Sequence, residues 1–348
     1  MPRPIASITL SDPTFAPKAE RNVFERAALH FINDERDLPF VWLSLTMTVV
    51  LVPMAVAMFW PGVFRWWMAP IYWAVLFGFF FDRYILMLHN TSHRRLFKRK
   101  YKVLNNYIPW VLGPFCGETP ETYYAHHITM HHAEGNLLPD LSTTMPYRRD
   151  SFVDFLRYFF RFFFLIIPDL TRYQARKKRW NIIRRMLVGE LGFYAMCVGL
   201  CFVSWEATLV VFVIPFVLCR FLMMAGNWGQ HAFVDAKDPG NPYKSAVTCI
   251  NARYNRRCFN DGYHIGHHVT ANRHWTEMPE DFQRDRANYA KNDAIVFEGL
   301  DNFSVWLFLM LKRYDVLAEH FVDMRETPRS HEEVVALLKE RTRPIPAA

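Results

Sequence analysis

Four apolar stretches, each long enough to cross a bilayer as a helix, constrain this chain more than any other feature. A crossing takes about 20 helical residues. The first stretch runs from Phe40 to Trp60 without a charge. The second runs from Met68 to Leu88, with Asp82 and Arg83 near its end. The third runs from Met186 to Trp205, with Glu190 near its start, and the fourth from Ala207 to Gly226, with Arg220 near its end. These charges sit within about two turns of a span end, where they can snorkel to water or pair. Trp60, Trp66, Trp67 and Trp205 lie at span ends, as interfacial aromatics do. A composition that is 51% hydrophobic and 16% aromatic agrees with burial in lipid. The expected fold is all-α integral membrane, with four transmembrane helices and a helical cap on one side.

The loops orient that fold. The connection after the first span carries only Arg65, and the one after the third is little more than Ser204-Trp205-Glu206. Arg94, Arg95, Lys98, Arg99, Lys100 and Lys102 follow the second span, and Arg172, Arg176, Lys177, Lys178, Arg179, Arg184 and Arg185 precede the third. The positive-inside rule then puts the long loops and both termini in the cytoplasm, with a bacterial inner membrane favoured over endoplasmic reticulum. The net charge of +8 is explained by this orientation, and no nucleic-acid partner is expected. The N-terminus has no apolar signal-like core. Residues 1–39 read as a cytoplasmic segment, 40–300 as the membrane-bound domain, and 301–348 as a cytoplasmic segment with a short membrane-surface helix. Phe152–Ile167, with Asp154, Arg157 and Arg161 among its aromatics, reads as a membrane-surface or re-entrant helix, as do Tyr107–Cys116 and Phe303–Leu311. A fifth span at Phe152–Ile167 would put the last histidines on the opposite side from the first. The six cysteines include no CxxC pair and read as small buried residues.

Nine of the 14 histidines fall into four local patterns. His89 and His93 form an HxxxH directly after the second span. His127, His131 and His132 form an HxxxHH in the following loop. Asn227 and His231 form an NxxxH after the fourth span, and His264, His267 and His268 an HxxHH farther on. Residues three or four apart share a helix face, about 5–6 Å apart, so two such imidazoles can bind one ion. An adjacent third histidine points about 100° away, towards a second ion. Neutral imidazole suits Fe, Zn, Cu and Ni. An even number of spans separates the first two clusters from the last two, so all four emerge on one face. Axial haem histidines would lie within spans, and these do not. His126 and His274 read as supporting or surface residues, and His30, His320 and His331 as ordinary ones.

The pattern resembles the membrane-bound fatty acid desaturase and hydroxylase superfamily over roughly residues 40–300. Its three boxes, HxxxH, HxxxHH and a C-terminal HxxHH, are all present. Asn227 and His231 resemble a further box of the stearoyl-CoA desaturase branch, whose Asn acts through water. The resemblance implies a non-haem centre of two Fe ions with O2 as co-substrate. The implied shell is His89, His93, His127, His131, His132, Asn227, His231, His264, His267 and His268. No HPGG-type haem motif or GxGxxG is present, so electrons are expected from a separate ferredoxin- or cytochrome b5-like protein, received on the basic loops.

The implied substrate is a fatty acid or fatty acyl chain. Desaturation is favoured on superfamily frequency. Hydroxylation, and oxidative decarboxylation of a free fatty acid to a 1-alkene, remain alternatives, because choosing among them takes ångström-scale placement of substrate. A decarboxylase should hold a carboxylate near the metals, for which Arg253, Arg256, Arg257 and Arg273 are candidates. The competing non-enzyme reading is a metal-binding membrane receptor or structural subunit.

Overall fold

The computed structural model describes residues 3–5 and 8–346; the extreme termini expected in the cytoplasm lie outside them. The chain is 65% helix. Its main helices are α1 (Val23–Phe31), α2 (Leu38–Met58), α3 (Met68–His93), α4 (Phe152–Arg176), α5 (Trp180–Thr208), α6 (Ile214–Gln230), α7 (His264–Val269), α8 (Asn302–Met310) and α9 (His331–Arg341). Among the described residues four short strands accompany them: β1 (Arg3–Pro4), β2 (Val247–Ile250), β3 (Ile295–Glu298) and β4 (Val322–Asp323).

The residues form two compact units that interleave along the chain. One comprises residues 1–15, 129–170 and 222–348, and the other 16–128 and 171–221. We call them the cap unit and the helical unit.

Among the described residues of the whole chain, three helical runs are long and apolar enough to cross a membrane: Glu35–Met58, Met68–His93 and Trp180–Gln230. The sequence expectation was four. The third run has 51 residues, which as a straight helix would reach about 75 Å, more than twice the ~30 Å of a bilayer core. It does not run straight. Ser204 breaks it with extended backbone, φ −157° and ψ 109°. Residues on either side of that break then meet in antiparallel order. The rings of Phe193 and Phe216 lie 5.5 Å apart, and Glu190 pairs with Arg220 at 2.7 Å. The third and fourth apolar stretches are thus the two arms of a hairpin. Of the two options open to the charges in them, snorkelling or pairing, Glu190 and Arg220 take the second as one buried ion pair, completed by Thr122 Oγ1 donating to Glu190 at 2.9 Å.

Ser44 and Met87 join α2 to α3 in the same antiparallel sense. The tips of the two hairpins are neighbours, since Trp66 and Trp205 pack with ring centroids 5.9 Å apart. Gly117 allows close packing on the second hairpin. Its φ is +78°, and a Cβ there would fall 2.2 Å from the Pro215 carbonyl carbon.

In the cap unit, β2 and β3 pair in parallel, as do β1 and β4. A core of Phe233, Val247, Ile295, Phe297, Val305, Leu309, Leu317 and Leu338 ties β2, β3, α8 and α9 together. α8 buries Val305 and Leu309 while leaving Phe303, Leu307 and Leu311 exposed. Phe152–Ile167 is the N-terminal part of α4, whose Phe155 and Tyr158 are buried while Phe160 and Phe164 are exposed.

Candidate metal centre

The cap unit builds a four-histidine nest. The ligand nitrogens of His131, His231, His264 and His268 lie within 4.8 Å of one another. His264 and His268 occupy i and i+4 of α7, and their Nε2 atoms are 3.0 Å apart. His231 comes from the residue following α6, its Nε2 3.1 Å from that of His264. His267, one position off the face shared by His264 and His268, turns to His132, with Nε2 atoms 2.9 Å apart.

The rings of the nest are held from behind. His131 Nδ1 lies 2.6 Å from Asp140 Oδ2. Asp140 is itself fixed by the Asn136 amide at 3.0 Å and by the Ser142 amide and hydroxyl at 2.8 and 2.7 Å. His231 Nδ1 donates to the Ser245 carbonyl at 2.8 Å, and Thr144 Oγ1 donates to the His231 carbonyl at 2.7 Å. A carbonyl only accepts, so His231 carries its proton on Nδ1 and presents Nε2 as a lone pair. Burial, with His131 beside it, pushes the His231 pKa down to about 3. Burial and the neighbouring histidines lower His268 as well. The nitrogens of His131, His231, His264 and His268 therefore converge where one proton cannot satisfy them all. A cation accepting nitrogen donors fits that donor set, and a histidine backed by a carboxylate is the usual way of orienting such a ligand.

The helical unit builds a three-histidine group. The ligand nitrogens of His89, His93 and His127 lie within 4.8 Å of one another. His89 and His93 are i and i+4 at the C-terminal end of α3, with rings 5.1 Å apart. His93 Nε2 approaches His127 Nε2 to 3.3 Å, and Tyr123 stacks on His127 at 5.0 Å.

The middle box departs from the α-helical expectation. His127 and His131, four apart, were expected to share an ion. They lie on a π-helix, Tyr124–His131, and His131 joins the four-histidine nest while His127 joins His89 and His93. The i→i+5 pairing of a π-helix widens the turn, so i and i+4 no longer share a face.

Asn227 lies in α6, where its Nδ2 donates to the Ser142 carbonyl at 3.1 Å and to Tyr158 Oη at 2.7 Å. The backbone here comes close to α8: a Cβ on Gly229 would fall 2.1 Å from the Asn302 carbonyl oxygen. His126 belongs to neither group. His274 is buried as a helix cap, its Nδ1 accepting from the Thr276 amide at 3.2 Å. His320 Nδ1 donates to the Glu298 carbonyl.

Several supporting residues escaped the sequence reading. Asp140 follows Pro139 and has the signature of a turn former. Asp12, far away in sequence, accepts from Tyr263 Oη at 2.6 Å and from the Asn251 amide at 2.7 Å, bracing the turn before His264. Burial raises the Asp12 pKa above the ordinary carboxylate value. Arg149 is fully buried and donates to the carbonyls of Thr144, Met145, Tyr147, Ala232, Arg341 and Arg343, tying the loop behind the nest to the C-terminal end of α9 and the residues that follow it. Only its unusual burial betrays it, and sequence gives no sign of that.

A search of curated proteins gave no match to this chain. The sequence model of the family described as fatty acid desaturase matches residues 65–299. That stretch includes every histidine of both groups, and the chain belongs to the fatty acid desaturase family.

Proposed function

We propose that this chain is an iron-dependent membrane oxidoreductase that desaturates a fatty acyl chain. The observation carrying the reading is the convergence of neutral, oriented imidazoles in the cap unit of a fatty acid desaturase family member. Their ligand chemistry suits iron. Zinc fits the donors but has no redox chemistry to offer.

In this reading His89, His93, His127, His131, His132, His231, His264, His267 and His268 hold two iron ions, and Asn227 completes the shell through water. Two bound irons would supply activation of O2 with electrons from an external ferredoxin- or cytochrome b5-like donor. The chain's own part is orientation and exclusion of water. Asp140 and the Ser245 carbonyl fix the imidazoles of His131 and His231. Phe155, Tyr158 and Trp228 form a buried aromatic cluster beside Asn227, with Tyr158 and Trp228 rings 5.0 Å apart. Tyr158 Oη and the Ser142 carbonyl hold the Asn227 amide in place.

We further propose that each arm of the two hairpins crosses the membrane, giving four spans. Both termini and the histidines then face the cytoplasm, in a bacterial inner membrane. All ten residues fall within 40–300, which we take as the catalytic domain, flanked by 1–39 and 301–348.

Three of the four cations that a decarboxylase could use for a free carboxylate are paired or exposed. Arg273 is paired with Asp281, and Arg253 and Arg256 are exposed. The test is expression in a heterologous host with mass spectrometry of cellular fatty acids and headspace hydrocarbons. New internal double bonds support the proposal. Hydroxy acids or 1-alkenes would redirect it to those reactions, and no O2-dependent lipid product would leave the non-enzyme reading. A His131→Ala control should abolish the product.

A further inference from the structure

The helix α1 exposes large apolar side chains to the surroundings beside Arg26 and His30. Val23 and Phe24 are 61% and 71% exposed, and Phe31 is exposed two turns on, while Glu25 is 6% exposed. Glu25 is drawn inward by a capping box with Asn22 and by an ion pair with Lys18 at 2.6 Å. An amphipathic helix that hides its acid and shows its apolar stripe has lipid as its solvent.

A second short helix, Arg99–Asn106, lies against α1. The ring of Phe31 is 4.7 Å from that of Tyr101, His30 Nε2 is 2.6 Å from Tyr101 Oη, and Lys98 Nζ donates to the carbonyls of Leu29 and His30. This helix continues the apolar surface with Val103, 72% exposed, and Leu104. Around it stand the exposed bases Arg95, Arg99, Lys100 and Lys102. Of the nearby acids, Asp34 pairs with Arg36 and Arg94 and Glu35 with Arg21, while Glu20 is exposed before α1.

The patch also sits at a defined depth. α1 leads directly into the apolar helix Glu35–Met58, and Arg99–Asn106 follows the apolar helix Met68–His93. Asn33 ties the two connections together by donating to the carbonyls of Arg95 and Phe97. The apolar surface is therefore held where two membrane-length helices end.

From this geometry we infer that α1 and the Arg99–Asn106 helix form a lipid-binding float. Val23, Phe24, Phe31, Val103 and Leu104 enter the acyl boundary of the leaflet, and Arg95, Arg99, Lys100 and Lys102 bind anionic headgroups. An acidic soluble protein would match the bases but would leave the apolar stripe in water. A leaflet with anionic lipid satisfies both.

The test places a nitroxide label at Phe24→Cys or Val103→Cys in a Cys201→Ser background, since Cys201 is the exposed cysteine among the described residues. The full chain is reconstituted in nanodiscs of phosphatidylcholine, with or without phosphatidylglycerol. The expected result is that dissolved oxygen relaxes both labels more than an aqueous nickel chelate does, and that phosphatidylglycerol is retained on the solubilised protein. Replacing Arg95, Arg99, Lys100 and Lys102 by Gln should weaken that retention by about fivefold per base. Labels relaxed mainly by the nickel chelate in both bilayers would overturn the inference. So would labels shielded only when an acidic ferredoxin is added, which would make the patch a protein-docking surface. Equal immersion without phosphatidylglycerol enrichment would remove the headgroup site.

Discussion

The two histidine groups are braced differently. In the cap unit the support touches the imidazoles themselves: Asp140 on His131 and the Ser245 carbonyl on His231. In the helical unit rings pack on rings, with Tyr123 stacked on His127. That unit also carries a polar hub, where Thr122 meets the Glu190–Arg220 pair. A directly held imidazole is oriented before a cation arrives. The Glu190–Arg220 hub bears instead on the packing of the helices of its unit. Mutations should therefore separate metal loss from fold loss in one unit and couple them in the other.

The largest effect is expected at Arg220→Met. It leaves Glu190 as an uncompensated buried charge, which costs about 3–5 kcal/mol. Thermal unfolding of the detergent-solubilised protein should fall sharply, with metal and fold lost together. An unchanged melting temperature would mean that the hub does not brace the helical unit.

Asp140→Asn should do the reverse. Loss of a carboxylate behind a metal-binding histidine costs about 10–100-fold in metal affinity. Iron content under chelator competition should drop by that factor while far-ultraviolet circular dichroism stays the same. Asp12→Ala comes next, removing the acceptor of Tyr263 and of the Asn251 amide. We expect a loss of about 1–3 kcal/mol in stability, read as earlier hydrogen exchange of residues 249–264. The smallest effect is Tyr123→Leu, which removes a stacking contact worth about 0.5–1.5 kcal/mol. It should lower iron retention less than tenfold, and a loss matching that of Asp140→Asn would erase the contrast between the groups.

Much of this arrangement is legible in the sequence, because composition and spacing report it directly. The length and apolarity of the stretches around Ser204 mark two hairpin arms. The i, i+4 spacing of His89 with His93 and of His264 with His268 brings each pair together on an α-helix. The register of the middle box is not legible, because an α-helical period was applied to a segment that adopts a π-helix. Asp140 and Asp12 were hidden for another reason. Their partners are set by tertiary folding, and each looks locally like an ordinary loop acid. The interleaving of the two units is likewise a product of long-range contacts, which no local pattern encodes.

The most direct test of the central claim is the iron content of the purified full chain, measured by elemental analysis with Mössbauer spectroscopy. Two irons per chain are expected in nitrogen-rich sites, with His264→Ala selectively depleting one spectral component and leaving the fold intact. A wild-type chain that binds no iron under reducing reconstitution, or one whose iron is unaffected by His264→Ala, would contradict it.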